Sequence, residues 1–181
     1  NYYSQFSEEK SSIINDQKLQ KNHFVLATIH RQENTDDEKK LKSIFLGLEE
    51  IHKTQPVVLP MHPRTKAILK KLSIDPKIQR IDPVGYYDML ELLKNCSMVI
   101  TDSGGLQKEA FFNRKQCIVV RDETEWVELE VNEYAKVVGS NTKKIIQTFD
   151  TFKEMKKEFT VELYGNNVGD KIYKSIYQLI H

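Results

Sequence analysis

The run Thr101-Asp102-Ser103-Gly104-Gly105-Leu106-Gln107-Lys108-Glu109-Ala110 carries the residue types that a phosphate-binding turn needs. Two glycines at a helix start let a ligand approach the backbone closely, because no Cβ intervenes. The first N–H groups of such a helix lack intrahelical partners and, with the positive end of the macrodipole, favour an anion. Ser103 adds a hydroxyl donor, and Glu109 follows Gly105 by four residues, one turn deeper on the same helical face. A carboxylate there would repel a phosphate, but it would accept from both hydroxyls of a ribose. A Gly-Gly pair used only for packing would need neither the serine nor the glutamate.

Four further polar segments invite comparison with this one. His30-Arg31-Gln32-Glu33-Asn34 follows an apolar stretch and has neither helical nor strand periodicity, so it offers either anion contacts or an internal salt-bridge knot. His62-Pro63-Arg64 forms a second basic corner, with Pro63 fixing the turn. Val84-Gly85-Tyr86-Tyr87 is a third segment. Arg121-Asp122-Glu123-Thr124-Glu125-Trp126 holds the single tryptophan, which would either stack on a base or sugar or close the core over a sheet edge.

The elements that must position these residues alternate along the chain. His23–Ile29, Pro56–Leu59, Ile78–Ile81, Met98–Thr101, Gln116–Val120 and Ala135–Val138 are predicted as strands. Between the first two, Asp36 and Asp37 open a helix whose Leu41, Ile44, Phe45, Leu48 and Ile51 share one face. Further helices are predicted over Arg64–Leu72, Tyr86–Asn95, from Gly104 through Phe112, from an N-cap at Thr142 to about Lys157, and from Gly169 to Ile180. Helical crossovers imply a parallel sheet, and continuously apolar strands imply helices on both of its faces. In such a sheet, ligands sit beyond the carboxyl ends of the strands. All five polar segments fall there, which suggests one shared cleft.

At 181 residues the chain suits one domain, and its 39% hydrophobic content supports a core. The near balance of 27 Lys and Arg against 26 Asp and Glu excludes a nucleic-acid partner of the ordinary basic kind. Lys66, Lys70, Lys71 and Lys77 read as a solvated helix face. Cys96 and Cys117 lie in apolar stretches without a metal-ligand spacing, which implies two buried free thiols in a reducing cytoplasm and no metal. No apolar run approaches the ~20 residues that span a bilayer. Residues 1–21 read as a polar linker with one weak helix capped by Ser7, and residues 22–181 as the domain. With Asn1 rather than Met at the start, the chain reads as a fragment that has lost an N-terminal domain.

Taken together, Thr28-Ile29-His30-Arg31-Gln32-Glu33-Asn34, Pro60-Met61-His62-Pro63, Gly85-Tyr86 with Leu92-Leu93-Lys94-Asn95, the 101–110 run and Arg121-Asp122-Glu123-Thr124-Glu125 resemble the non-hydrolysing UDP-N-acetylglucosamine 2-epimerase family. The resemblance extends over about Lys21 to Gly139. It implies an α/β, Rossmann-like sheet forming the C-terminal half of a GT-B-like two-domain fold. By the same match, Ser103, Gly104 and Gly105 hold a UDP diphosphate and Glu109 the ribose. His30 approaches the phosphates and sugar as the catalytic candidate, and Met89 borders the uracil where the family often has an aromatic residue. Arg31, His62 and Trp126 form a second rank of candidates. Neither a redox cofactor nor a metal is implied. The partners implied are a UDP-sugar, the missing half and, at full length, a second copy.

The departures point to a branch of that family. Trp126 stands where many members have arginine, and His62-Pro63-Arg64-Thr65 replaces a His-x-Asn-Pro pattern tied to a regulatory second UDP-sugar. Both features fit enzymes acting on modified sugars such as UDP-2,3-diacetamido-glucuronate, for surface polysaccharides. The competing readings are the nucleotide-binding half of a GT-B glycosyltransferase and a non-catalytic UDP-sugar sensor. In either epimerase version, the carboxylates that move the C2 proton would lie in the other half, leaving this chain inactive by itself.

Overall fold

The computed structural model describes residues 6–165 and 167–180. Six strands form one parallel sheet: β1 (Val25–Thr28), β2 (Val57–Pro60), β3 (Gln79–Ile81), β4 (Met98–Thr101), β5 (Cys117–Val119) and β6 (Ala135–Val137). Their order is β3-β2-β1-β4-β5-β6, with every neighbouring pair parallel. The chain winds outward from β1 to β3, then returns to lay β4 on the other side of β1. Crossovers therefore leave β1 and β4 in opposite directions and open a crevice between their carboxyl ends.

Period-two alternation splits the strand residues between two cores. Val25, Ala27, Val57, Leu59, Ile100 and Ile118 face one side. There they meet Leu41, Ile44, Leu48 and Ile51 of α4 (Glu38–His52), Leu69 of α5 (Pro63–Lys71), and Ile145 and Phe149 of α9 (Thr142–Glu154). Leu26, Val58, Val99, Cys117 and Val119 face the other side. Their partners are Leu92 and Leu93 of α6 (Tyr86–Asn95), Leu106 and Ala110 of α7 (Gly104–Phe112), and Leu129 of α8 (Val127–Val131). The doubly covered parallel sheet expected from the strand composition is what forms. Cys96 and Cys117 are free and buried, and burial pushes the Cys96 thiol up to about 12.

Several local expectations are corrected. The segment after β1 does contain a turn of helix, α3 (Gln32–Thr35), because the Arg31 carbonyl accepts from the amides of Asn34 and Thr35. Such a short turn leaves no periodicity to read. Asn141, not Thr142, caps α9 by accepting from the Lys144 amide, while the Thr142 hydroxyl donates to the Ser43 carbonyl on α4. Ser7 caps nothing. It lies buried within α1 (Ser7–Lys10) and donates to Glu91 of α6 at 2.5 Å.

Within the 1–21 segment, α1 and α2 (Ile13–Asp16) both pack on α6, with Ile13 entering the second core; residues 1–5 of that segment lie outside the described residues. The last helix, α10 (Val168–Ile180), forms where its spacing predicts but buries none of its residues, its apolar stripe remaining exposed. Among the described residues, no helix is long and apolar enough to cross a membrane.

Candidate functional site

The crevice between β1 and β4 is held by hydroxyl and carboxylate side chains from the strand ends. Thr28 and Thr101, directly paired across the sheet, bring their hydroxyl oxygens to 2.6 Å. The Ser103 amide donates to the Thr101 hydroxyl at 2.9 Å, which sets the angle at which the chain leaves β4. Asp102 is fully buried. Its carboxylate accepts from the His30 amide at 3.0 and 3.1 Å, the Arg31 amide at 2.9 Å and the Asn34 side-chain amide at 3.2 Å. Asn34 also donates to the Val120 carbonyl at 2.9 Å, so one amide ties together the exits of β1, β4 and β5.

Above this anchor, α7 begins with Ser103 as its N-cap, the Ser103 oxygen accepting from the Leu106 amide. That leaves the hydroxyl proton for a ligand. The N–H groups of Gly104 and Gly105 belong to the first turn, where no earlier carbonyl of the helix reaches them. The two glycines divide their tasks. A Cβ on Gly104 would stand 3.1 Å from the Glu125 carboxylate and 3.7 Å from the Arg31 guanidinium, so Gly104 admits those side chains. A Cβ on Gly105 would meet only the Ser103 hydroxyl, at 4.0 Å, and otherwise points into open space.

That space is a cavity of about 350 Å³ lined by His30, His62, Met89, Ser103, Gly105 and Glu109. Six of the nine sequence candidates thus face one volume. Gly104 and Arg31 stand just behind it. Trp126 does not line it: its indole N–H donates to the Gly104 carbonyl at 2.8 Å, Lys108 lies over its ring at 4.3 Å, and Tyr164 meets its edge. The ring braces the start of α7 and packs against the second core, the arrangement expected of the core-closing role. The sequence also hid the apolar wall contributed by Pro83 and Leu106, since neither residue type marks a site by itself.

The polar density after β1 is a salt-bridge knot at its outer end. Arg121, nearly buried, donates to Glu33 at 2.8 Å and to both oxygens of Glu125 at 2.8 Å. These carboxylates hold the Arg121 guanidinium above its ordinary value, and Arg121 in turn lowers Glu125. Glu109 has no such cation. Burial raises its carboxyl, so it rests as a desolvated acceptor at the cavity wall.

His30 stacks on His62 at 5.5 Å, with its Nδ1 3.5 Å from the Asp102 carboxylate. Burial is the largest influence on its imidazole and lowers it below the usual 6.5; Asp102 opposes this, while His62 and Arg31 reinforce it. The folded protein therefore prefers neutral His30. Its contribution to stability is present above the unfolded value and fades as pH falls through the lower folded one. An anion at the glycine turn would stabilise the imidazolium. In NMR titrations we expect the His30 midpoint to lie below that of a free imidazole and to rise when pyrophosphate is added. A midpoint indifferent to pyrophosphate would separate His30 from the anion site.

A family profile described as UDP-N-acetylglucosamine 2-epimerase matches residues 1–176. The UDP-2,3-diacetamido-2,3-dideoxy-D-glucuronate 2-epimerase of Pseudomonas aeruginosa is 46% identical over 143 residues, covering 78% of this chain and 40% of that protein. A UDP-N-acetylglucosamine 2-epimerase homolog of Methanococcus maripaludis is 34% identical over 173 residues, covering 92% and 48%. Among solved structures, the Methanocaldococcus jannaschii UDP-GlcNAc 2-epimerase in complex with UDP-GlcNAc and UDP superposes with a TM-score of 0.84 at 30% identity. That superposition covers 98% of this chain and 51% of the other. The chain therefore spans about half the length of the relatives it matches, as one Rossmann-like half of a GT-B-like fold would.

Proposed function

Because the chain belongs to the UDP-N-acetylglucosamine 2-epimerase family, we propose that it is the UDP-holding half of an enzyme that inverts C2 of a UDP-N-acetylglucosamine-type sugar. The observation that carries this reading is the convergence of Ser103, Gly105, Glu109 and His30 on one cavity at the β1/β4 crevice. The first-turn amides of α7 and the Ser103 hydroxyl receive the diphosphate. Glu109 accepts from the ribose hydroxyls, and the base lies along Met89, Pro83 and Val84. His30 and His62, stacked at the opposite wall, face the phosphate and sugar.

In the reaction the C1–O bond to UDP breaks while C2 loses its proton, leaving a glycal. UDP then adds back to C1 after C2 has received a proton on its other face. This half stabilises the departing diphosphate through fixed dipoles and through His30, whose imidazole takes a proton from solvent as the bound diphosphate's negative charge raises its affinity for one. The acid and base that move the C2 proton come from the partner half, absent from these 181 residues. The 46% identity to the Pseudomonas aeruginosa enzyme favours a diacetamido-glucuronate substrate over UDP-N-acetylglucosamine itself. A cytoplasmic, homodimeric full-length enzyme completes the proposal.

Full-length protein incubated in D2O with each of these UDP-sugars should place deuterium at C2 and form the epimer. A new glycosidic bond would make it a transferase instead, and binding without exchange in either sugar would make it a sensor. Glu109→Gln provides a sharper check of the site. It preserves shape while replacing a charged acceptor, so UDP should bind about tenfold or more weakly, given about 1.5–3 kcal/mol for a hydrogen bond to a charged group. Pyrophosphate, lacking a ribose, should bind as before. Calorimetry showing equal losses for both ligands would refute the assignment of Glu109.

A further inference from the structure

We infer that the opposite end of the sheet carries a second ligand site, for a small, multiply charged phosphate compound. A groove of about 750 Å³ lies below the amino ends of β1, β2, β4 and β5. It is lined by Lys18, Arg114, Lys115, Lys153, Lys156 and Lys157, with no aspartate or glutamate among its lining residues. The cations come from separate elements. Lys18 follows α2, Arg114 and Lys115 follow α7, and the three others lie at and beyond the end of α9. Lys18 and Arg114 both sit at positive φ, in tight turns that fix where their side chains start.

Part of this charge has a structural explanation. Helix carboxyl ends gather at the amino ends of parallel strands, and each carries roughly half a negative charge that attracts lysine. The long helices α4, α6, α7 and α9 together supply about two such charges. Glu133 neutralises Lys157 at 2.5 Å. Six cations against that total leave a surplus of about three positive charges. The other five make no ion pair among the described residues, although the chain as a whole is almost neutral at +1.

Lys115 sharpens the case. It is partly buried, burial lowers its ammonium, and it donates to the Asn22 amide oxygen at 3.2 Å. A lysine held there without a carboxylate is an anion contact waiting for its partner. Asn22, Gln55 and Ser97 add neutral polar groups, while Leu19 and Phe159 add an apolar wall for the body of a phosphate ester. The volume lies within the ordinary range for small-molecule sites, about 300–1,000 Å³. This site lies across the sheet from Gly105 and His30 and shares no lining residue with their cavity.

The test is an amide NMR titration of the 181-residue chain with pyrophosphate as the probe. Saturable shifts should arise at Asn22, Ser97 and Gln116, separately from those around Gly105. The double variant Lys153→Gln/Lys156→Gln changes two exposed side chains, of which Lys153 reaches over the Phe149 ring at 5.8 Å, so the thermal midpoint is compared alongside the shifts. The variant should weaken the lower set of shifts roughly tenfold and leave the Gly105 set unchanged. Lys70→Gln/Lys71→Gln, on the solvated face of α5, should alter neither. Lower-edge amides that stay still, or that shift equally in the 153/156 variant, would overturn the proposal.

Discussion

Gly105→Val should abolish measurable UDP binding while leaving the fold intact. A Cβ at this position meets nothing of the protein closer than the Ser103 hydroxyl at 4.0 Å, so the folded chain accommodates it. Its branches fill the mouth of the cavity that Ser103 and Glu109 also line. A diphosphate would have to retreat from the first-turn amides by more than an ångström, losing several charge-assisted hydrogen bonds worth about 1.5–3 kcal/mol each. We expect at least a hundredfold loss in affinity by calorimetry. Thermal stability should hold or rise slightly, since glycine within a helix costs roughly 0.5–1 kcal/mol relative to alanine. The paired Gly104→Val should behave differently. Its Cβ meets the Glu125 carboxylate at 3.1 Å and would disturb the Arg121 knot, so stability should fall as well. Normal UDP affinity in Gly105→Val would remove the diphosphate from this turn.

Asp102→Asn should weaken both the fold and the candidate site by a single-atom exchange. The buried carboxylate accepts from two backbone amides and from Asn34, and it faces His30 Nδ1. An asparagine oxygen in the place of Oδ2 keeps the contacts from His30, Arg31 and Asn34, but it loses the charge and sets an NH2 group against the His30 N–H, which stands 3.1 Å from Oδ1. Losing the charge behind these buried hydrogen bonds should destabilise the domain by about 1–3 kcal/mol in a denaturant titration. The loop from His30 to Asn34 should loosen first. UDP affinity should fall with it, although no atom of residue 102 lines the cavity. Losing the carboxylate also removes the influence that raises His30, so its titration midpoint should move further down. An unchanged midpoint would show that Asp102 is structural only.

The two variants mark the boundary of what could be read from residues alone. Strands and helices were legible because apolar runs and helical spacing are local, as Leu41, Ile44, Phe45, Leu48 and Ile51 illustrate on α4. The candidate cavity was legible for a similar reason: polar residues at strand exits converge once the sheet is parallel. Asp102 was visible only as part of a turn. Its partners lie 68 to 72 residues away, and no spacing rule connects them. Trp126 was undecidable because its fate depends on Lys108 and on Tyr164 from a distant segment. The short α3 and α8 escaped for lack of length, and the exposed stripe of α10 shows that an apolar periodicity predicts a helix without supplying its cover.

The placement of β4 against β1 also governs when the site can exist. Thr28 meets Thr101 at a sequence separation of 73, a longer closure than β1 makes with β2. Pairing β1, β2 and β3 needs nothing beyond Ile81, so that half of the sheet can assemble early during synthesis. Until Met98–Thr101 emerges, the far edge of β1 stands open and His30 has no carboxylate behind it. Loop-closure entropy and high contact order place that last pairing late in folding. Nucleotide binding should therefore be absent from any partly assembled chain, and bound ligand should slow unfolding at the one seam joining the two halves of the sheet.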